Sequence, residues 1–74
     1  MTSEQLAIYR QFNYALLRGT TGNATQLATR NDIDRSTVFR YLNELRNLGA
    51  EITYDRQQKT FLYTNDFDLK DFFN

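Results

Sequence analysis

The stretch NATQLATRNDIDRSTVFRYLNELRNLG, residues 23–49, decides the fold of this 74-residue chain. It begins with Asn23, a good N-cap residue, and Gln26 stands three positions later, so the two side chains can form a capping box. Strong or neutral helix formers continue as far as Arg30. Short polar residues between positions 31 and 34 then compete for backbone hydrogen bonds and end the helix. The stretch therefore begins with a short helix and a tight turn.

A longer helix is predicted after this turn, from about Arg35 to Leu48. Asp34 stands at its N-cap, where a negative charge meets the positive end of the helix. Gly49 stands where a C′ glycine would end it. Apolar residues spaced at i, i+4 and i+7 share one buried face of the helix. They are Val38, Leu42 and Leu45.

The opposite face of the longer helix carries small polar side chains and one full charge. At ~100° per residue it includes Ser36, Arg40, Asn43 and Asn47, with Phe39 at its edge. A merely solvated face usually alternates Glu and Lys, whereas Arg, Ser, Thr and Asn are the groups that contact base edges and phosphates. A short helix, a tight turn and a longer helix with such a face follow the order of a helix-turn-helix, so the face is expected to meet DNA.

Composition limits what else the chain can do. It has no Cys and no His, which excludes a disulfide scaffold, a structural zinc site and Cys- or His-based catalysis. It has no apolar run of ~18 residues and no signal-peptide pattern, so neither a membrane span nor secretion is expected. No nucleophile–base pair, metal ligand set or cofactor loop is found, so neither an enzyme nor a cofactor is expected. These limits predict one cytoplasmic, nucleoid-associated domain over residues 1–74.

The formal net charge is zero, but the charges are unevenly distributed along the chain. Residues 1–64 contain eight Lys/Arg and six Asp/Glu, which gives +2, and residues 65–74 contain one Lys and three Asp, which gives −2. Six of the cations lie in the central helices and the region after them: Arg30, Arg35, Arg40, Arg46, Arg56 and Lys59. The domain is locally basic if these side chains share one side.

The first helix is predicted over Thr2–Arg18, with a capping box of Thr2 and Gln5 and with Gly19 at its end. Its apolar residues cover roughly 200° of arc. They are Leu6, Ile8, Tyr9, Phe12, Ala15, Leu16 and Leu17. An arc this wide is covered either by the C-terminus of the same chain or, in part, by a second subunit. The following loop, residues 19–22, could lay extended chain beside a later hairpin.

After Gly49 the apolar period changes from 3.6 to 2. Apolar residues alternate with polar ones in two short runs, Ile52–Tyr54 and Phe61–Tyr63. These runs predict a β-hairpin over 51–64 with a polar loop of four or five residues. The loop carries two cations, Arg56 and Lys59. They are either solvated or in contact with the DNA backbone.

The tail, residues 65–74, is predicted to contain a final helical turn capped by Asp66 or Asp68. Because two Phe at the C-terminus would be costly to expose, they either close the core of the monomer or form a dimer contact. The acidic spacing of the tail lacks the loop glycine and terminal glutamate of an EF-hand, so no metal is expected. The residues expected at a dimer interface are Ile8, Phe12, Leu69, Phe72 and Phe73.

The central stretch and the hairpin together carry a family resemblance over roughly residues 5–64. The residues that carry it are Leu27-Ala28, Ile33, Arg35, Thr37-Val38-Phe39-Arg40, Leu42, Leu45, Gly49, Ile52 and Phe61-x-Tyr63. This pattern resembles the winged helix-turn-helix of bacterial DeoR-type and WYL-domain transcriptional regulators, and is similar to the N-terminal domain of the biotin-ligase repressor. The resemblance implies an α+β fold of three helices and a hairpin wing. It places the helix from Arg35 in the major groove, with Arg35, Ser36, Thr37 and Arg40 at DNA-contact positions.

The sequence thus predicts a small winged helix-turn-helix protein that binds double-stranded DNA sequence-specifically as a dimeric transcriptional repressor. The expected DNA-binding residues are Asn23, Ala24, Arg35, Ser36, Thr37, Phe39, Arg40, Asn43, Arg56 and Lys59. The first two would act through N–H groups at a helix N-terminus. One monomer offers about four to six phosphate contacts, too few for tight binding at physiological salt, which favours a homodimer or cooperative binding. The alternatives are a module that binds a larger protein partner and an architectural or recombination-directionality factor.

Overall fold

The computed structural model describes residues 2–72, which form three helices followed by a two-stranded antiparallel hairpin and a 3₁₀ turn. The helices are α1 (Ser3–Arg18), α2 (Ala24–Asn31) and α3 (Arg35–Asn47). The strands are β1 (Ile52–Asp55) and β2 (Thr60–Tyr63), and the 3₁₀ turn spans Leu69–Phe72. This α+β arrangement is that of a winged helix-turn-helix and confirms the fold predicted from the sequence.

Side chains at the predicted capping positions satisfy the free N–H groups at the start of each helix. Thr2 and Gln5 form a capping box on α1, and Asn23 and Gln26 form another on α2. Asp34 caps α3. All three helix starts therefore follow from the chain's local sequence, as predicted.

The turn between α2 and α3 depends on one residue in the left-handed region of backbone space. Asn31 still belongs to α2, and the chain changes direction at Asp32, whose φ is 56°. Aspartate adopts this conformation more readily than most residues because its short polar side chain can bond locally. The N–H groups of Asp32 and Ile33 then donate to carbonyls in the last turn of α2. The turn thus begins one residue later than the predicted range 31–34.

The core lies between the three helices and the inner face of the hairpin. Its most deeply buried helical side chains are Phe12, Leu16, Leu27, Val38, Leu42 and Leu45. The ring of Tyr41 stands edge-on to that of Tyr9, with centroids 4.5 Å apart. The predicted buried stripe of α3 is confirmed. Leu17 of α1 corrects the prediction, since it is 50% exposed and follows the outward-facing Tyr14 by three residues.

Two of the residues predicted at a dimer interface belong instead to the protomer's own core. Phe12 is 0% exposed and Leu69 is 2% exposed, so neither lies on a surface that a partner could touch. The apolar arc of α1 and the tail bury each other at these positions. Ile8 is only partly buried and Phe72 is 52% exposed. Phe73 lies outside the described residues.

Two threonine side chains attach the hairpin to the loop between α1 and α2. The Thr21 N–H donates to Oγ1 of Thr60 over 3.0 Å, and the Phe61 N–H donates to Oγ1 of Thr21 over 2.8 Å. Both threonines are buried, so these bonds satisfy backbone groups that a third strand would otherwise pair. The loop does run beside β2, as the prediction for residues 19–22 allowed, but the connection is made by side chains.

A buried asparagine on α1 holds the tail. Oδ1 of Asn13 accepts hydrogen bonds from the Tyr63 hydroxyl (2.8 Å) and the Leu69 N–H (3.0 Å), while its Nδ2 donates to the Asp68 carboxylate (2.9 Å). Burial, and secondly the charge of Asp68, raises the pKa of the Tyr63 phenol above its usual range, so its hydroxyl stays protonated. The hydrogen bond from Asn13 is the largest cause of a lowered pKa at Asp68. Every polar atom of the Asn13 side chain is thus engaged.

The tail itself packs through an aromatic residue that the sequence analysis did not single out. Phe67 is buried, and its ring stacks on that of Phe72 with centroids 5.6 Å apart. Asp68 accepts the Lys70 N–H over 3.0 Å and so caps the 3₁₀ turn, which decides between the two predicted caps. Phe67 and Leu69 thus close the monomer core, whereas Phe72, one of the two phenylalanines predicted either to close the core or to form a dimer contact, is 52% exposed.

We predict that Asn13→Ala lowers the free energy of unfolding by roughly 2–4 kcal/mol, because it leaves the Tyr63 hydroxyl, the Leu69 N–H and Asp68 without their shared partner. Urea unfolding monitored by tyrosine fluorescence measures the change. The control is Asn47→Ala, because Asn47 is exposed and makes no side-chain hydrogen bond to the described residues. Equal stability of the two variants would contradict a structural role for Asn13.

Candidate nucleic-acid interface

The exposed face of α3 presents most of the side chains that the sequence assigned to DNA contact. Exposed along this helix are Arg35, Ser36, Phe39, Arg40 and Asn43. Thr37 is only half exposed because it stands one turn before the buried Tyr41. Burial of the opposite stripe therefore turns a polar and cationic surface outward.

Asp34 organises the first turn of α3. Its Oδ1 accepts the Thr37 N–H over 2.8 Å and the Ser36 hydroxyl over 3.0 Å. Hydrogen bonds from Thr37, followed by the bond from Ser36, lower the pKa of Asp34, so its carboxylate is charged at neutral pH. The hydroxyl proton of Ser36 is used within the protein. Its oxygen is therefore left to act as an acceptor, which suits a base amino group and not a phosphate.

Arg40 has weak neighbours on the same helix. Its Nε lies 4.0 Å from Oε1 of Glu44, and its guanidinium lies 5.5 Å from the centre of the Tyr41 ring. The Arg40 side chain is 60% exposed and the Glu44 side chain 44% exposed. Exposed pairs of this kind contribute only about 0–1 kcal/mol, so Arg40 can exchange Glu44 for a phosphate or a guanine edge at little cost.

Aromatic rings join α3 to the hairpin. The Phe39 ring stands edge-on to the Phe61 ring of β2 at 6.4 Å, and Phe61 lies 4.9 Å from the Tyr54 ring of β1. The Arg35 guanidinium is 6.0 Å from the centre of the Phe39 ring. Phe39 was predicted as a DNA contact. Its observed contacts are with Phe61 of the wing and with the Arg35 guanidinium, so it helps to fix the wing and the Arg35 side chain in place.

Arg46 makes a second connection between α3 and the hairpin. One guanidinium nitrogen donates to Oδ1 of Asn43 over 3.1 Å, and the other donates to the Ile52 carbonyl of β1 over 3.2 Å. The sequence analysis counted Arg46 only as a positive charge. The useful signal was its spacing of three residues from Asn43, which places both side chains on one side of the helix.

The loop of the wing is ordered by the residue that precedes it. Oδ1 of Asp55 accepts the N–H groups of Gln57 and Gln58 over 2.9 and 3.1 Å. The loop has four residues and ends at Lys59, whose φ is 56°, and strand β2 begins at the next residue. Arg56 and Lys59 are both exposed. The loop thus presents two cations on a backbone that Asp55 holds in place, next to the contact between Thr21 and Thr60.

The N-terminus of α2 is less open to a phosphate than predicted. The Asn23 N–H donates to Oε1 of Gln26 over 2.8 Å, so it is already used in the capping box. The Ala24 side chain is buried, which leaves only its backbone for a contact. Gly22, with φ of 72°, allows this packing because a Cβ there would collide with the Gln26 side chain. The Asn23 N–H is therefore excluded as a phosphate donor, and of the predicted pair only the backbone of Ala24 is left for such a contact.

Other kinds of site are not apparent between residues 2 and 72. No group of three or more His, Cys, Asp or Glu side chains in that range could hold a metal ion. None of the described helices is both long and apolar enough to cross a membrane. Ala7 and Gln11 line two open depressions on the surface beside α1.

Residues 15–50 match the IclR helix-turn-helix domain. The matched segment runs from the last turn of α1 through α2 and the turn to just beyond α3. It identifies this part of the chain as a helix-turn-helix DNA-binding domain. The match does not support the finer resemblance to DeoR-type, WYL-domain or biotin-ligase regulators. No curated protein and no solved structure matches the chain.

We predict that the Asp34 carboxylate stabilises the fold at neutral pH and that this contribution is lost in acid. Its pKa lies below the ordinary value of 3.8 in the folded state, so the stabilisation is fully present above that value and disappears as pH falls through the lowered pKa. Asn is an equally good N-cap without the charge. The stability advantage of wild type over Asp34→Asn should therefore be larger at pH 7 than at about pH 2.5.

Urea midpoints of the two proteins at both pH values measure this difference. Asp66→Asn is the control for the general loss of one carboxylate, because Asp66 is exposed. A wild-type advantage over Asp34→Asn that is the same at both pH values would show that the charge of Asp34 has no part in capping α3.

Proposed function

We propose that this protein binds double-stranded DNA sequence-specifically, with α3 in the major groove and the hairpin loop on the adjacent backbone, and that it acts as a dimeric transcriptional repressor. One observation carries the proposal. The outward face of α3 is polar and cationic, and aromatic and guanidinium contacts fix the wing beside it. The match of residues 15–50 to a helix-turn-helix domain supports the same function.

The side chains would divide into positioning and reading groups. Arg35 and Arg40 would contact phosphates or guanine edges, because a guanidinium can bind either in a bidentate manner. Ser36, with its proton donated to Asp34, would accept from a base amino group. Arg56 and Lys59 would hold the DNA backbone from the wing. Phosphate contacts of this kind set the orientation of the helix, and base contacts set the preferred sequence.

The charge balance favours two subunits on the DNA. Residues 23–64 contain six Lys/Arg and five Asp/Glu, which gives only +1. Two of the acids, Asp34 and Asp55, bind backbone N–H groups and shape α3 and the wing loop. A third, Glu44, neighbours Arg40. One protomer would therefore bind weakly, and a dimer on a palindromic site would double the number of phosphate contacts.

The outer face of α1 is the surface that we propose for dimerisation. Tyr14 is 58% and Leu17 50% exposed, and the exposed Ala7 lies two turns before Tyr14. Glu4 and Arg18 stand near opposite ends of the helix. Two copies of α1 packed antiparallel would therefore bring Glu4 of one copy near Arg18 of the other. Ile8, the predicted contact on α1 that is only partly buried, packs against the core and lies outside this surface.

A second candidate function is a protein-interaction module. The exposed apolar side chains Tyr14, Leu17, Leu48 and Phe72 favour it, since they could meet a larger partner. Salt dependence discriminates the two functions, because phosphate contacts weaken steeply with salt and an apolar interface barely responds.

We predict that Arg40→Ala lowers affinity for a selected duplex roughly five- to a hundredfold, as expected for loss of one base or phosphate contact. Fluorescence anisotropy with a duplex selected from a randomised pool measures the affinity. The control Lys70→Ala removes a cation of the tail and should bind like wild type. For wild type, the log–log slope of affinity against salt is expected to be about −4 to −5 per protomer and twice that for a dimer. Unchanged binding by Arg40→Ala would count against the proposed interface.

We predict that Tyr14→Glu converts the dimer to a monomer, because it places a carboxylate at the centre of the α1 surface. Light scattering should show a fall from twice the chain mass of 8.8 kDa to that mass itself. Leu48→Glu, which changes an exposed leucine at the end of α3, is the control and should leave the mass unchanged. A wild type that is monomeric both free and on DNA would contradict dimerisation through α1.

A further inference from the structure

An exposed phenylalanine lies on the side of α3 that we propose to enter the major groove. Phe39 is 41% exposed. The other large apolar side chains that are exposed among residues 2–72 lie on α1, at the C-terminal end of α3 and in the tail. Phe39 is therefore the one large apolar group that this part of the chain exposes beside the arginines and polar side chains of the proposed interface.

Two neighbours hold the ring of Phe39 in place. It stands edge-on to the Phe61 ring of β2 at 6.4 Å, and the Arg35 guanidinium lies 6.0 Å from its centre. Arg35 and Asn43 lie one turn before and one turn after Phe39 and are both exposed on the same side of the helix. The uncovered part of the ring thus lies between two side chains that the proposed function places against DNA.

The major groove offers an apolar ring one distinctive partner. Base edges there present mainly hydrogen-bond donors and acceptors, and thymine adds a C5-methyl group. A phenylalanine ring packed against polar atoms would displace their water without replacing the lost hydrogen bonds, which is unfavourable. Against a methyl group it gains the burial of apolar surface. 5-Methylcytosine carries its methyl group at the same ring position as thymine, so both bases offer this contact.

The charges around Phe39 favour DNA over an apolar protein surface as the partner that covers the ring. Arg35 and Arg40 are exposed within about one turn of it on α3, and the wing loop adds the exposed Arg56 and Lys59. A polyanion satisfies such cations, whereas an apolar partner would have to desolvate them at a cost.

We infer that Phe39 reads a C5-methyl group in the major groove, so that the protein selects thymine at one position of each half-site and binds 5-methylcytosine there in preference to cytosine. This inference rests on the proposed DNA-binding function and specifies one of the bases that α3 contacts. Burial of a single methyl group corresponds to about fourfold in affinity. The ring would then pack on Phe61 with one part and meet the base with its exposed part.

The test measures binding to a duplex selected from a randomised pool, in which each thymine is replaced in turn by deoxyuridine. This replacement removes the C5-methyl group and leaves every hydrogen-bonding atom of the base in place. For wild type, one replacement in each half-site is expected to weaken binding about fourfold. At the same position, 5-methylcytosine paired with guanine should bind about fourfold more tightly than cytosine paired with guanine.

Phe39→Ala should abolish both differences at that position and leave the effects of deoxyuridine elsewhere unchanged. Loss of the ring also removes the contact with Phe61, so this variant is expected to bind every duplex more weakly. The ratio of affinities for the thymine and deoxyuridine duplexes, measured for each protein, cancels that general loss. Phe39→Leu keeps an apolar side chain at this position and should retain part of the preference for the methyl group.

Leu48→Ala is the matched control, because it removes an exposed apolar side chain from the opposite side of α3, at the end of the helix. It should respond to deoxyuridine and to 5-methylcytosine as wild type does. Thermal unfolding by circular dichroism confirms that each variant is folded.

Three results would overturn the inference: equal affinity of wild type for the thymine and deoxyuridine duplexes at every position, equal affinity for cytosine and 5-methylcytosine at the responding position, or a methyl preference that survives in Phe39→Ala. In each case wild type still binds a selected duplex with a steep salt dependence, so the proposed function stands. Failure of wild type to bind any duplex at low salt would instead remove the proposed function and the inference together.

Discussion

Burial of one stripe of α3 is the constraint on which the rest of the structure depends. Val38, Leu42 and Leu45 are all 0% exposed, and together they fix the rotation of this helix about its own axis. Each such side chain contributes about 1.5–3 kcal/mol when it is fully buried, so a rotated helix would forfeit much of the stability of a small domain. The polar face is turned outward as a consequence of this packing. Side chains of this face such as Arg35 and Arg40 are therefore available for binding.

Buried polar side chains fix connections between elements that so small an apolar core does not fix by itself. The Thr21–Thr60 pair joins the α1–α2 loop to the wing, and Asn13 joins α1 to the tail. Each hydrogen bond contributes a modest net free energy, but an unpaired buried group would cost about 1–3 kcal/mol, so these side chains select one arrangement of the wing and the tail. The same logic applies at the interface, where Phe39 and Arg46 set the position of the wing relative to α3. A rigid relation between helix and wing is what simultaneous contact with a groove and its backbone requires.

The outward face of α3 combines weak internal contacts with firmly fixed ones. Arg40 has only weak neighbours, the Glu44 carboxylate at 4.0 Å and the Tyr41 ring at 5.5 Å, and can be redirected towards DNA. Ser36, in contrast, has its hydroxyl proton already donated to Asp34, and Arg46 orients the Asn43 amide by donating to its oxygen. Ser36 therefore offers only an acceptor near the start of α3. A hydroxyl restricted to accepting favours discrimination between bases over general affinity.

The sequence by itself determined the helices, their caps, the hairpin and the helix-turn-helix, because capping boxes, apolar periods and the change from a period of 3.6 to one of 2 are local properties of the chain. It also gave the polar face of α3, since that face follows from the period of the buried one. Only the tertiary structure decided that Phe12 and Leu69 are core residues, that Leu17 is exposed, and that Phe67 closes the tail. It alone revealed the Asn13, Thr21–Thr60 and Arg46 contacts. These join residues of different elements, and for Asn13 and the threonines they span roughly half the chain or more. The hydrogen-bond partner of a polar side chain depends on how those elements pack against each other. A local sequence pattern does not encode contacts between residues so far apart in the chain.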